Sequence, residues 1–169
     1  MTTEIYPGAM VGSIGTLPLD VVARDGGLKV LRDMLAGDLP APPMAETLKF
    51  TLTEVEEGRV VFAGLPDASH LNPLGTVHGG WTATVMDSAL GCAVFSVVKP
   101  GEAYTTIEFK VNLVRPVLPG MGEVFCEGRI VHRGRTIATS EAWLRDANGK
   151  LLAHGTETCA IFPIDNLTR

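Results

Sequence analysis

Two hydrophobic periods divide the 169-residue chain. From Leu48 onward, short stretches alternate apolar and polar residues with the period of two that turns one face of a β-strand toward a core. Leu48, Phe50 and Leu52 begin the series, Gly58 marks a turn, and residues 60–65 read as the returning strand. Residues 105–113 alternate most cleanly, with Ile107, Phe109, Val111 and Leu113 on one face and Glu108, Lys110 and Asn112 on the other. Pro119-Gly120, Gly134 and Asn148-Gly149 then punctuate three further strands, at residues 123–132, 136–144 and 151–162. Asn-Gly is a strong signal for a two-residue hairpin. Residues 66–76 read as a loop. Residues 77–98 break the alternation: they are apolar nearly all round, which predicts a helix covered on most sides. Two strands, one long buried helix and four more strands together predict an α+β fold. An antiparallel sheet of about six strands wrapped around one helix satisfies both patterns.

Residues 1–45 follow a different grammar, a leader rich in Gly and Pro. Leu28, Leu31 and Leu35 stand at i, i+3 and i+7, which predicts one short amphipathic helix between Gly26 and Leu39, stopped by Pro40, Pro42 and Pro43. The expected organisation is therefore a leader at 1–45 and one globular domain at 46–164. No Lys or Arg precedes Arg24, and Glu4 and Pro7 interrupt the start, so a secretory signal is not expected.

Composition agrees with a packed domain: 46% apolar and 20% charged residues exclude disorder. The formal net charge of -5 supplies no general attraction to nucleic acid or an anionic membrane. Cys92, Cys126 and Cys159 are odd in number and widely spaced, as expected of reduced, buried thiols in a cytoplasmic protein. His70, His132 and His154 have no ligand-like spacing, and no metal site is expected.

The charges carry more information in their placement. Between Asp67 and Lys99 the only acidic or basic residue, His apart, is Asp87, in the middle of the apolar helix. A carboxylate there loses hydration with no cation nearby in sequence, so its pKa should rise toward that of a base useful at neutral pH. Upstream, Gly79-Gly80 opens the helix, where free backbone N–H groups and the positive end of the dipole can stabilise a developing oxyanion. A glycine there also admits close approach of a ligand.

The segment from Asn72 through Gly75 and His78-Gly79-Gly80 to Asp87, with the stretch from Tyr104 to Pro116, resembles the PaaI-like (phenylacetyl-CoA thioesterase) family of hotdog-fold thioesterases. The resemblance covers about residues 45–162 and leaves the leader unexplained. It implies the hotdog fold and hydrolysis of an aryl- or medium-chain acyl-CoA without metal or redox cofactor. It further implies that the Asn72 amide and the Gly79 N–H polarise the thioester carbonyl, that Thr106 positions the attacking water, and that Asp87 acts as general base or nucleophile. Strand parity favours Thr105 as a rival to Thr106, since Thr105 shares a face with Ile107. His78 is a further catalytic candidate, and a His beside a helix start also serves to orient a loop. Trp81, Met86 and Leu90 are candidates to receive the acyl group, with core packing as the alternative.

Asp87 lies eight residues beyond Gly79, so the helix rise separates them by about 12 Å. One carboxylate cannot reach an acyl carbon held at its own chain's Gly79, and the pair can cooperate only across two subunits. This agrees with the dimer of shared active sites, commonly paired again into a tetramer, that the resemblance implies. Arg129, His132, Arg133 and Arg135 cluster at the Gly134 turn of an otherwise acidic protein, and guanidinium groups suit phosphate. The resemblance implies contact with coenzyme A by His132, Arg133, Gly134, Arg135 and Thr136; Lys110 and Arg115 are lesser candidates. Two alternatives stand beside hydrolysis: a hotdog hydratase or dehydratase with His78 as base, and a non-catalytic acyl-CoA-binding protein that needs no buried Asp87.

Overall fold

A computed structural model describes residues 2–168. Eight strands, four α-helices and two 3-10 turns follow one another along these residues. A hairpin of β1 (Thr3–Tyr6) and β2 (Ala9–Val11) leads to α1 (Leu19–Asp25), α2 (Gly27–Ala36) and α3 (Pro43–Leu48). Then come β3 (Phe50–Glu56), β4 (Arg59–Gly64), the long helix α4 (Gly79–Phe95), β5 (Glu102–Leu113), β6 (Val124–Arg133), β7 (Ile137–Asp146) and β8 (Leu151–Pro163). The last six strands form one antiparallel sheet in the order β3-β4-β6-β7-β8-β5. The predicted fold class stands, and the long helix is trimmed by about a turn at its ends.

The helix seats deeply because the sheet gives it room. Val85, Met86, Ala89, Leu90 and Ala93 of α4 share one buried cluster with Phe62, Val124, Cys126, Ala142, Leu144 and Ala153 of the sheet. Each large aliphatic side chain so buried contributes about 1.5–3 kcal/mol. At the tightest point β6 has Gly128, where an added Cβ would stand 2.1 Å from the Ala89 carbonyl oxygen. Only a residue without a side chain lets backbone meet backbone there.

The leader is more regular than its Gly and Pro content suggests. α2 lies where the leucine spacing predicts a helix, and it buries Val30 and Leu31 in the same cluster as α4. Gly27 N–H donates to Val98 O at 2.9 Å and Gly101 N–H to Ala23 O at 2.8 Å, tying the leader to the end of α4. The hairpin is anchored by Tyr6 Oη, which donates to Glu123 Oε1 at 2.9 Å. α4 is thus covered by the sheet on one side and partly by the leader on the other.

Strand β5 departs from simple alternation. Thr106 pairs with Cys159 and Glu108 with Thr158, leaving Ile107 as the extra residue of a β-bulge. Past it, Val111 packs on the core and Leu113 reaches Gly79. Before it, Tyr104 stacks on Phe95. The apolar face read from the sequence is therefore interrupted at Ile107, which is 56% exposed.

Replacing Gly128 by Ala should cost about 3 kcal/mol or more, because the clashing partner is backbone and the core must shift. Urea denaturation reports it as a lower midpoint with an unchanged slope.

Candidate active site at the long helix

The start of α4 is built for a donor. His78 is its N-cap, and its Nδ1 accepts the Gly80 N–H at 2.8 Å. That bond fixes the neutral ring's proton on Nε2, so His78 orders the helix start and offers no free basic nitrogen. Gly79, the first helical residue, has no intrahelical acceptor for its N–H, and no partner for that group occurs among the described residues. The preceding loop is pinned by Asn72. Its Oδ1 accepts from Leu74 N at 2.9 Å and Thr76 N at 3.3 Å, while Nδ2 donates to Thr76 Oγ1 at 2.7 Å. One Nδ2 hydrogen stays available. Asn72, Thr76, Gly79, Thr82, Leu113 and Arg115 line one cavity.

Asp87 opens into a different cavity, together with Thr106, Tyr104 and Cys92. Burial drives its carboxyl pKa upward. Cys92 is not a rival nucleophile: desolvation first, then the nearby Glu157 and Asp87 charges, push its thiol up to about 12, so it stays protonated at neutral pH. Thr106 lines the cavity of Asp87 because of the bulge. The extra residue at Ile107 resets parity, so Thr106 and Val111 both face the helix side although an odd number of positions separates them. Thr105 does not line this cavity. Trp81, Met86 and Leu90 do not line it either; all three are core residues, and the Trp81 indole donates to Leu48 O at 2.7 Å.

One residue escaped the sequence reading. Glu157 on β8 is 1% exposed, and its Oε1 accepts from Thr106 Oγ1 at 2.8 Å and from Cys159 Sγ at 2.9 Å. Its Oε2 is buried without a hydrogen-bond partner. Burial raises its pKa first, the Cys159 and Thr106 bonds lower it, and the charges of Asp87 and Glu108 raise it again. The only sequence signal was that Glu157 is the single acidic residue of its strand. Its partner, Thr106, is 51 positions away.

The basic hairpin is less free than its composition suggests. Arg133 is ion-paired with Glu102 and its Nη1 donates to Gly134 O at 2.7 Å. Arg129 Nε pairs with Glu127 at 2.5 Å. Of the cluster, His132, Arg135 and Thr136 stand exposed on the hairpin beside Gly134. Among the described residues no group of three or more His, Cys, Asp or Glu side chains gathers as metal ligands, and no helix is long and apolar enough to cross a membrane.

The family model of the thioesterase superfamily matches residues 74–153, from the loop before α4 to the start of β8. The chain is 29% identical over 111 residues to acyl-coenzyme A thioesterase 13 of Homo sapiens, an alignment covering 65% of this chain and 78% of that protein. A thioesterase family protein from Silicibacter pomeroyi superposes with a TM-score of 0.70 at 28% identity, covering 82% of this chain and 99% of that one. A phenylacetic acid degradation-related protein from Ralstonia eutropha JMP134 gives 0.70 at 27% identity, over 77% and 98%. The chain belongs to the thioesterase superfamily, with the hotdog fold. It is accordingly an enzyme of the thioester-hydrolase class.

A carboxyl whose folded pKa lies above its unfolded value binds its proton more tightly in the folded chain. The contribution of Asp87 to stability therefore falls as pH rises from about 4, the unfolded value, through the raised folded one. Asp87→Asn should raise Tm at pH 7.5 relative to the wild type and lose that advantage at pH 4. Calorimetry at both pH values checks the sign.

Proposed function

We propose that the chain hydrolyses acyl-coenzyme A thioesters at sites shared between two copies of itself. The observation that carries the reading is Asp87: a half-buried carboxylate without a cation, facing a cavity with the Thr106 hydroxyl. In the reaction Asp87 takes a proton from water, whose oxygen bonds to the acyl carbon. The carbonyl oxygen becomes an oxyanion held by the Gly79 N–H and the Asn72 amide. The C–S bond then breaks, sulfur leaves with the proton from Asp87 as the coenzyme A thiol, and the acid gives its remaining proton to solvent and departs as carboxylate. Fixed donors of this kind are typically worth about 3–4 kcal/mol of barrier.

Thr106 suits the role of water positioner. Its hydroxyl hydrogen is committed to Glu157, so its lone pairs face the cavity as acceptors for a water hydrogen. This favours Asp87 as base over nucleophile, because a water bound at Thr106 is already beside a base. Glu157 acts as a positioning residue behind it.

Two facts support the shared site. Asn72 and Gly79 line one cavity of the chain and Asp87 and Thr106 another. Moreover, β5 pairs only with β8, leaving a 12-residue sheet edge that carries exposed Ile107, Phe109 and Leu113. A long apolar edge calls for a partner. A two-fold pairing of β5 with β5 runs antiparallel, so the Leu113 end beside one copy's Gly79 approaches the other copy's Thr106. A dimer, or a pair of dimers as a tetramer, fits this edge. For the nucleotide end, Arg135, His132, Thr136 and the Gly134 turn are the free part of the hairpin, and Arg133 braces it through Glu102. The human relative's name, acyl-coenzyme A thioesterase 13, supports the substrate class. The hydratase alternative loses ground because His78 Nδ1 already accepts a helix N–H.

Thiol release from a panel of aryl- and fatty-acyl-CoAs tests the reading, with Asp87→Asn expected to lower kcat about 10³-fold. No thiol from any member, or equal rates in the variant, overturns it. Mixing inactive Asp87→Asn and Asn72→Ala chains after joint refolding should restore roughly a quarter of the wild-type rate. Half the dimers are then mixed, and each mixed dimer holds one intact site. A mixture as inactive as its parents argues against shared sites. After turnover in ¹⁸O-water, the peptide carrying Asp87 should stay unlabelled; label there means a nucleophile.

A further inference from the structure

The cavity that contains Asp87 has a second wall that the thioesterase match does not reach. Its polar side is α4 and β5, with Asp87, Ser88 and Thr106. Its other side comes in large part from the leader: Met10 and Val11 of β2, Met34 of α2, and Ala41, Pro42 and Ala45 at α3, with β3 and β4 completing the lining through Phe50, Leu52 and Phe62. Every leader residue on that wall is apolar and uncharged. We infer that the leader forms the acyl pocket of this enzyme and limits the acyl group to an uncharged, apolar one of restricted length. The inference rests on the thioesterase reading above and adds the substrate's acyl class.

Three observations carry it. First, position: the acyl carbon must sit within reach of Asp87, and the space continuing from Asp87 is bounded by Met34, Met10 and Val11. Second, size: the cavity has a volume of about 260 Å³, below the roughly 300–1,000 Å³ that encloses a whole small ligand. It has room for the acyl end, while pantetheine and nucleotide stay outside. Third, the wall is preformed. Gly15 N–H donates to Ala41 O at 2.9 Å and Ala41 N–H to Ser13 O at 2.8 Å, and α2 carries Val30 and Leu31 into the main core. The leader is a fixed side of the pocket, and its two methionines supply an adaptable lining.

A charged acyl terminus is the sharpest discriminator, because it would place a carboxylate against this wall without a partner. With hexanoyl-CoA and adipoyl-CoA, which share a six-carbon acyl chain, the wild type should prefer hexanoyl by about 100-fold or more in kcat/KM. Met34→Trp fills the pocket and should lower the hexanoyl-to-acetyl ratio at least roughly tenfold; Met34→Ala should move the optimum to longer chains. Leu35→Trp, at the exposed rim, should act in the same direction as Met34→Trp, should the Met34 variant fail to fold. Comparable rates on adipoyl- and hexanoyl-CoA, or leader variants that change every acyl length by one factor, overturn the inference.

Failure of the thioesterase reading registers separately. If the wild type releases no thiol from any thioester, calorimetric titration with S-hexyl- and S-methyl-coenzyme A thioethers still decides the acyl pocket. Tighter binding of the S-hexyl compound, lost in Met34→Trp, supports the pocket without catalysis. Equal affinities for the two thioethers, or an S-hexyl preference that survives Met34→Trp, overturn it.

Discussion

The structure turns on a helix that must be covered on nearly every side. α4 has no wide polar face to give to water, so burial against one sheet is insufficient. The sheet takes Val85, Met86, Ala89 and Leu90. The leader closes over the far end through Val30 and Leu31, and by its contacts with Val98 and Gly101. What remains is a narrow half-buried strip containing Thr84, Asp87, Ser88 and Cys92. A carboxylate on that strip is desolvated by the same packing that holds the helix, so the raised pKa of Asp87 is a consequence of the fold's central contact. The stability it forfeits belongs to the familiar trade between function and packing.

Strand β5 shows how small an adjustment positions chemistry. One inserted residue at Ile107 lets a strand keep Val111 and Leu113 on the helix side while also turning Thr106 toward Asp87. Without the bulge the two demands have opposite parity. Bulges recur beside active sites for this reason. Glu157 completes the arrangement from the neighbouring strand by taking the Thr106 hydrogen. A strand pair thereby presents an acceptor to the cavity, and the carboxylate doing so is itself hidden from solvent.

Charge tells a similar story at the other end of the sheet. Arg129 and Arg133 look available in the sequence, yet each is answered by a carboxylate on another part of the sheet or on its own strand. Arg133 holds the β6–β7 hairpin to the start of β5, and the exposed hairpin residues are carried on that brace. Partial burial makes such a pair a matter of geometry more than of stability.

The residue pattern alone made legible the fold class, the order in which the strands appear, the buried helix and the isolated Asp87, because these follow from local periods and from one charge in an apolar run. It also placed Asn72, His78 and Gly79 at a helix start, since capping chemistry is local. Folding was needed to reveal the features that depend on contacts between distant positions. Those are the bulge that turns Thr106 into the cavity of Asp87 and the Glu157 carboxylate behind it. The arginines already spent in ion pairs and the leader residues facing Asp87 belong with them. The leader is the clearest case. Outside α2 its apolar residues are scattered among glycines and prolines, and they share one wall only once the chain has folded around α4.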